Sequence, residues 1–136
     1  MSYGMAMALQ QAVFSALSND ATVAALADGA IYDAIPPGPV PALYVSLGPE
    51  KVRDLSDGTG RAAVHDFPVL VVGDGAGFGG MKALAAAVSD VLTDAELTLS
   101  RGRLTALNFI RARARRVADR REIEVWFRAY LDDGDR

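Results

Sequence analysis

The stretch that most constrains this chain is residues 67–92, which read FPVLVV, then GDGAGFGG, then MKALAAAVSDVL. A short apolar run, five glycines within eight residues and a segment with helical periodicity predict a strand, a flexible turn and a helix in direct succession. Gly75, Gly77 and Gly80 also have the G-x-G-x-x-G spacing of a dinucleotide-binding loop. The stretch therefore allows two interpretations, a cofactor site or a structural turn.

Composition limits what the rest of the chain can be. A chain of 136 residues has the length of one ordinary domain, so a single domain over residues 1–136 is expected. There is no cysteine and only one histidine, His65, so disulfides are excluded and a zinc site would need carboxylate partners. We expect no metal and no cofactor. The N-terminus lacks the pattern of a signal peptide, and no apolar run approaches the roughly 20 residues of a spanning helix, which predicts a protein made in the cytoplasm with no membrane partner.

The net charge of −3 hides a strong segregation of charge along the chain. Residues 1–100 contain four Lys or Arg and eleven Asp or Glu, a balance of −7, whereas residues 101–128 contain nine Arg and three acidic residues, a balance of +6. Such segregation is typical of a nucleic-acid surface, or of subunits whose basic and acidic patches meet.

The first half of the chain predicts helices followed by a hairpin. Residues 3–17 have an amphipathic pattern that Ser2 could cap, and Asp20 could cap a shorter helical piece that Gly29 ends. Residues 31–35 and the following PPGPVP predict an extended connection rather than a strand. Residues 42–47 and 62–72 alternate as two strands of an antiparallel hairpin, joined by a long polar loop.

The second half predicts a helix over residues 81–92 and a second hairpin over residues 104–115 and 122–131. The apolar positions of the first strand change phase after Phe109, which indicates a β-bulge. After the bulge the arginines share one face, where Glu122 and Glu124 can pair with some of them. Pro68 within the earlier strand indicates an edge or a bulge at that position.

The order of elements is helix, hairpin, helix, hairpin. It predicts an α+β fold, with an antiparallel sheet of about four strands and two helices packed on one face. The other face of the sheet would then be open, and it would carry Tyr44, Trp126, Tyr130 and the row of arginines. Aromatic residues and arginine together have the composition of a protein interface.

Catalysis finds little support in the sequence. A dinucleotide loop requires a parallel β-α-β unit with an acidic residue roughly 20 positions further on. Glu96 has about that spacing, but it precedes a segment without a strand pattern, and five glycines produce such motifs by chance. Ser46, His65 and Asp66 could be named as a triad, but nothing in the sequence orders them. We expect no catalytic residues and no enzyme.

The succession of short motifs resembles a known family. IYDAIP at residue 31, PALYVSLG at 41–48, a polar loop ending in G-x-x-x-x-H at Gly60 to His65, MKALAAAVSDVL, LTLSRGRL and a final strand with WFRAY are similar to the tail-completion, or tail-terminator, proteins of long-tailed phages and gene transfer agents. The resemblance spans nearly the whole chain. It depends on order and spacing, because none of the motifs is catalytic.

The resemblance implies a structural protein of the virion, at the head-proximal end of the tail. Such a protein forms a homo-oligomeric ring, commonly of six subunits, that caps the tail tube, stops its polymerisation and offers a docking surface to the head-tail connector or stopper protein. DNA passes through the ring without being read. Exposure patterns then predict two surfaces. Subunit contact is expected at Trp126, Tyr130, Arg111, Arg113 and Arg115, and docking to the tube or connector at Lys51, Arg53, Asp54, Asp57 and Arg61.

Two alternative functions remain open at the level of sequence. The arginine-rich hairpin could make the chain a nucleic-acid-binding module, although its arginines alternate with alanine and glutamate rather than with stacking aromatics. A nucleotide-binding enzyme that uses the glycine-rich loop is the other alternative.

Overall fold

A computed structural model describes residues 3–35, 37–74 and 78–135 of the chain. Ser2, Gly75 and Gly77, which the sequence suggested as a helix cap and as parts of a phosphate loop, lie outside these residues. The helices are α1 (Ala6–Asn19), α2 (Ala21–Ala27) and α3 (Gly79–Leu92), and the strands are β1 (Ile31–Tyr32), β2 (Leu43–Leu47), β3 (Lys51–Asp54), β4 (Gly60–Gly73), β5 (Arg103–Val117) and β6 (Arg120–Asp135).

The predicted α+β class is confirmed, but the predicted arrangement was too simple. Three helices and a mixed sheet of six strands replace the expected two helices and four antiparallel strands. The strand order is β1-β2-β4-β6-β5, and β3 pairs with β4 beyond the end of β2. Only the pair of β1 and β2 is parallel among the strands described.

The additional strands come from segments that the sequence assigned to connections. Ile31 and Tyr32 pair with Val45 and Ser46, so this segment is a short strand even though prolines follow it closely. The long polar loop before β4 contains β3, whose register with residues 63–66 leaves a turn of only five residues, 55–59. A polar, half-exposed strand lacks the apolar alternation by which a strand is recognised in sequence.

The helical layer covers one face of the sheet, called here the inner face. Leu9, Val13 and Leu17 of α1 and Leu84 and Val88 of α3 pack on inner-face residues, and all five are at most 2% exposed. Phe127 at the centre of the sheet is fully buried; its ring stacks on Phe67 at 5.8 Å and meets the edge of Phe109 at 6.2 Å. Alternation along the strands then directs the neighbouring positions to the opposite, outer face.

Helix boundaries follow local chemistry. Asp20 ends α1 and caps α2, because its carboxylate accepts a hydrogen bond from the backbone N–H of Val23 at 3.0 Å. Asp28 and Gly29 end α2 with positive φ angles of 51° and 74°. The predicted roles of Asp20 and Gly29 are therefore confirmed.

The break between β2 and β3 lies opposite Pro68. The Pro68 carbonyl accepts a hydrogen bond from the Gly48 N–H at 2.9 Å, so the proline nitrogen also faces this break, where no ladder bond is lost. The sequence predicted an edge or a bulge at Pro68; the position is instead the gap between two partner strands, and the register of β4 with β6 is regular there. A Cβ on Gly48 would lie 2.6 Å from Pro68 Cγ, so the proline ring packed against the Gly48 backbone leaves no room for a side chain here.

Candidate functional site

The outer face of the sheet carries a row of charge pairs between β5 and β6. The register places Arg115 opposite Glu122 and Arg113 opposite Glu124. Arg115 Nη2 lies 3.2 Å from Glu122 Oε1 and 3.3 Å from Glu124 Oε2, and Arg113 Nη2 lies 3.5 Å from Glu124 Oε2. The predicted bulge is confirmed by a register shift between Phe109 and Arg111, and it sets these arginines on the outer face. The predicted cross-strand pairing is thus present.

Trp126 is the centre of this row. It lies opposite Pro68 on one side and Arg111 on the other. The Arg111 guanidinium carbon is 4.6 Å from the centroid of the indole ring, and the indole Nε1 donates a hydrogen bond to Glu124 Oε1 at 3.2 Å. The side chain is consequently half-buried within one chain rather than open. Burial raises the pKa of Glu124. The Trp126 hydrogen bond and the charges of Arg113 and Arg115 lower this pKa by more than burial raises it, so the Glu124 carboxyl stays ionised.

Asp66 and Arg128 extend the row across β4. Arg128 donates hydrogen bonds from Nε and Nη2 to the two carboxylate oxygens of Asp66, at 2.8 and 2.9 Å. These hydrogen bonds lower the pKa of Asp66 below its usual value and raise the pKa of Arg128. Tyr130 lies two residues further along β6 and is half-buried opposite Val64.

Tyr44 departs from the expectation for this face. It was predicted to share the open surface, but it is only 4% exposed. Tyr44 and Val72 form a small apolar cluster with Ala30, against which Val40 and Tyr32 pack. The segment before β2 therefore covers this end of the outer face. The open part of this face lies on β4, β6 and β5, and it reaches from Asp66 on β4 to Arg115 on β5.

The predicted docking residues lie on a hairpin rather than on a loop. Lys51, Arg53 and Asp54 belong to β3, Arg61 belongs to β4, and Asp57 lies in the turn between them. Asp57 Oδ1 accepts hydrogen bonds from Thr59 N, Thr59 Oγ1 and Gly60 N, which orders the turn. All five predicted side chains are exposed. The hairpin therefore presents these exposed charges from an ordered backbone.

The two predicted surfaces adjoin each other. Lys51 lies opposite Asp66, which lies opposite Arg128, and the charge of Arg53 contributes to the lowered pKa of Asp66. A single row of side chains thus runs across β3, β4 and β6. The sequence did not predict this continuity, because Asp66 is brought between the two groups only by the pairing of β4 on both sides.

The sequence did not predict that His65 is part of a buried cluster with Glu50 and Tyr3. His65 is fully buried on the inner face, its Nδ1 lies 3.5 Å from Glu50 Oε2, and neither ring nitrogen has a hydrogen-bond partner among the described residues. Glu50 Oε1 accepts a hydrogen bond from the Tyr3 hydroxyl at 2.7 Å. Burial lowers the pKa of His65 more than Glu50 raises it. A cavity of about 330 Å³ lies beside this cluster, lined by Tyr3, Leu9, Gln10, Val13, Leu47, Gly48, Pro49, Glu50 and Phe67.

Ser46, His65 and Asp66 do not form a catalytic triad. Ser46 lies opposite Leu70 and Asp66 opposite Arg128, both on the outer face, whereas His65 lies opposite Ala129 and points to the inner face. The sheet therefore separates the histidine from the other two side chains. In the part of the chain that the structure describes, no group of three or more His, Asp or Glu side chains is placed to hold a metal ion.

The nucleotide-binding interpretation gains nothing from the described part of the glycine-rich stretch. Gly80 is exposed in the first turn of α3, and α3 has no side-chain hydrogen bond at its N-cap, Phe78. Glu96 is exposed in the segment between α3 and β5. The strand that follows α3 is separated from β4 by the antiparallel strand β6, so β4, α3 and β5 do not form the adjacent parallel pair of a dinucleotide-binding unit.

No helix in the described residues is both long and apolar enough to cross a membrane.

Comparison with known proteins adds to this geometry. A family model described as "Tail completion protein gp17" matches residues 11–132. A solved chain described as "Virion of native gene transfer agent (GTA) particle" is 57% identical, with a TM-score of 0.92, over 96% of this chain and 99% of that chain. No curated protein is significantly similar to the chain.

Proposed function

The chain belongs to the tail completion protein gp17 family, and from that premise we propose that it forms a homo-oligomeric ring at the head-proximal end of a phage-like tail. It is a structural component of the tail, and its place is in the virion. The ring, commonly of six subunits, caps the tail tube, stops its polymerisation and presents the docking surface for the head-tail connector or stopper protein. DNA passes through the ring without being read, and the protein is not an enzyme.

The continuous charged and aromatic surface on the outer face is the observation that supports this proposal most. It joins the subunit-contact residues to the docking hairpin through the row of Lys51, Asp66 and Arg128. Subunit contact involves Trp126, Tyr130, Arg111, Arg113 and Arg115, and docking involves Lys51, Arg53, Asp54, Asp57 and Arg61. A shift of side chains at the docking hairpin can then reach the subunit-contact residues through the paired side chains of Lys51, Asp66 and Arg128.

Pairing within the chain favours protein contact over nucleic-acid binding. Arg113 and Arg115 contact glutamates, Arg128 contacts Asp66, and Arg111 covers Trp126. Binding of a phosphate backbone would have to compete with these contacts, whereas a protein surface can add to a row of side chains that is already fixed. We therefore propose the ring as the function and not the nucleic-acid module.

The test is the native mass of the purified protein, alone and with isolated tail tubes. The expected result is a closed oligomer, either alone or on the tube ends, and tubes that no longer grow when free tube protein is added. The double variant Arg113→Ala/Arg115→Ala should weaken the oligomer, while Lys82→Ala, an exposed cation on α3, should not. A strict monomer that neither binds nor caps tubes would overturn the proposal.

A further inference from the structure

The edge of the sheet formed by β5 lacks a described partner strand along most of its length. β5 is 15 residues long, and among the described strands it pairs only with β6. Near its start, the Leu107 carbonyl accepts a hydrogen bond from the Asp94 N–H at 2.8 Å, so the segment after α3 covers that position. From residue 108 to 117, no described residue forms a backbone hydrogen bond to this edge. A bare edge of this length is a template for another strand.

The direction of the backbone groups along this edge follows from the hairpin. Val117 and Arg120 flank a two-residue turn, in which Ala118 has a φ of 56°. The pair that closes such a turn is hydrogen-bonded, and hydrogen-bonded pairs alternate with non-bonded ones along an antiparallel ladder. The backbone N–H and C=O groups of Arg115 and Arg113 therefore bond to β6. The backbone groups of Arg116, Ala114 and Ala112 point away from β6. The bare positions are available to a second strand.

The two edges of the sheet carry opposite charge. β1 lies at the edge opposite to β5. Residues 1–50, which include α1, α2, β1 and β2, contain four acidic residues and no Lys or Arg, whereas residues 101–120 contain seven Arg and one Asp. Asp28 and Asp33 flank β1 and are exposed. Each edge also exposes apolar side chains, Ile35 close to β1 and Phe109 and Val117 on β5.

Charge also disfavours a symmetric pairing of two β5 edges. An antiparallel contact between two copies of β5 would place Arg111, Arg113 and Arg115 of one copy across from the same arginines of the other, and like charges in opposed strands are destabilising. β3 is a poor partner for the same reason, because its outer-face side chains, Lys51 and Arg53, are also basic. The acidic β1 edge is the complementary one.

We propose that the β5 edge of one copy docks against the β1 edge of a second copy. β1 has two residues, and its Ile31 N–H already donates to the Gly29 carbonyl at 2.9 Å, so the main-chain contact is short and the exposed Asp28 and Asp33 provide the rest of the contact. The inference rests on the proposed ring and names the contact that builds it. A contact between two different edges is head-to-tail, and it closes into a ring when the rotation per subunit permits. The alanines at positions 112 and 114 leave the inner-face side of this edge free of bulky groups.

Proline substitution tests the main-chain part of the contact. Ala114→Pro removes an N–H that points away from β6, so the ladder within the chain keeps its bonds, and edge strands tolerate proline. Ala114→Val is the matched control, since it adds bulk but keeps the N–H. In sedimentation experiments with purified full chains, Ala114→Pro should raise the concentration of half-assembly by about tenfold or more, and Ala114→Val should change it little.

A charge exchange tests the second part, and remains informative if the proline variant fails to fold. Arg116→Asp and Asp33→Arg should each weaken assembly, and the two variants mixed together should assemble better than either alone. The edge contact is overturned if Ala114→Pro assembles like the unmodified chain, or if the mixture of charge variants shows no recovery. If the unmodified chain neither assembles nor caps tubes, the proposed ring fails instead, so the two failures are distinguishable.

Discussion

Arg128 on β6 and Asp66 on β4 face each other directly across the outer face, joined by two hydrogen bonds of 2.8 and 2.9 Å. The pair is the point at which the arginine row of the hairpin meets the charged β3 edge. Both side chains are fixed in both position and direction, because a bidentate guanidinium-carboxylate contact is planar. The outer face is therefore ordered at this junction.

The first prediction concerns this pair and pH. Asp66→Asn should lower the melting temperature by a few degrees at neutral pH, because one hydrogen-bonded charge pair is lost. The pKa of Asp66 is lowered in the folded chain from its usual 3.8. Its stabilising effect is thus fully present above that value and is lost as the pH falls through the lowered pKa. Thermal unfolding followed by circular dichroism should show the two proteins converge as the pH falls through that lowered pKa. Asp90→Asn, an exposed site on α3, should give no such pattern.

The second prediction concerns the break between β2 and β3. Gly48→Ala should destabilise the fold by about 1–3 kcal/mol, because a Cβ would meet the side chain of Pro68 and the strands would have to shift. Gly58→Ala is the matched control, since a Cβ there meets nothing within 4 Å. Chemical unfolding in urea measures both. Equal stability of the two variants would show that the approach of Gly48 to Pro68 is not tight.

The third prediction uses Trp126 as a reporter, because it is the only tryptophan. Arg111→Ala should shift its fluorescence emission to longer wavelength and cost about 0.5–1 kcal/mol, since the guanidinium that covers the indole ring is removed. Arg116→Ala, on the same strand but opposite Arg121 rather than Trp126, should leave the emission unchanged. A spectrum that is the same in both variants would contradict the stacking.

The fourth prediction concerns His65. Its pKa is lowered in the folded chain, so the unfolded chain binds a proton below about pH 6.5 that the folded chain does not. Stability should therefore be constant above that pH and decrease below it. His65→Leu should abolish this decrease between about pH 6.5 and pH 5. It should not lower stability at neutral pH, because it removes two buried nitrogens that have no hydrogen-bond partner among the described residues.

The control for His65 is Tyr3→Phe. This variant loses the hydrogen bond to Glu50 but keeps the histidine, so the decrease below about pH 6.5 should persist. Since His65 is the only histidine, no other imidazole can produce the effect. If the stability of His65→Leu still decreases below about pH 6.5, another titrating group causes the decrease.

Local patterns predicted the parts of the fold that depend on neighbouring residues. Alternation along β6 separated Trp126 and Arg128 from Phe127, and the phase change after Phe109 predicted the bulge. Asp20 and Gly29 predicted the ends of the helices because capping is a local interaction. The resemblance to tail-completion proteins, which depended on the order of such patterns, is confirmed by the family match.

Contacts between distant segments were not predictable in this way. β3 is polar, so its identity as a strand depends on β4 beside it and not on its own sequence. Tyr44 alternated as an outer-face residue, yet the segment before β2 folds over it. The contact of Glu50 with His65, and the row of Lys51, Asp66 and Arg128, likewise arise from strand register, which a single sequence does not reveal.

β6 lies between β4 and β5 in the sheet, although it follows every other strand in the chain. During synthesis, β4 and β5 therefore leave the ribosome before the strand that must separate them. Both would expose unpaired edges until β6 emerges, and the inner face could not close around Phe127. The order of translation thus delays completion of the domain until β6 has been made.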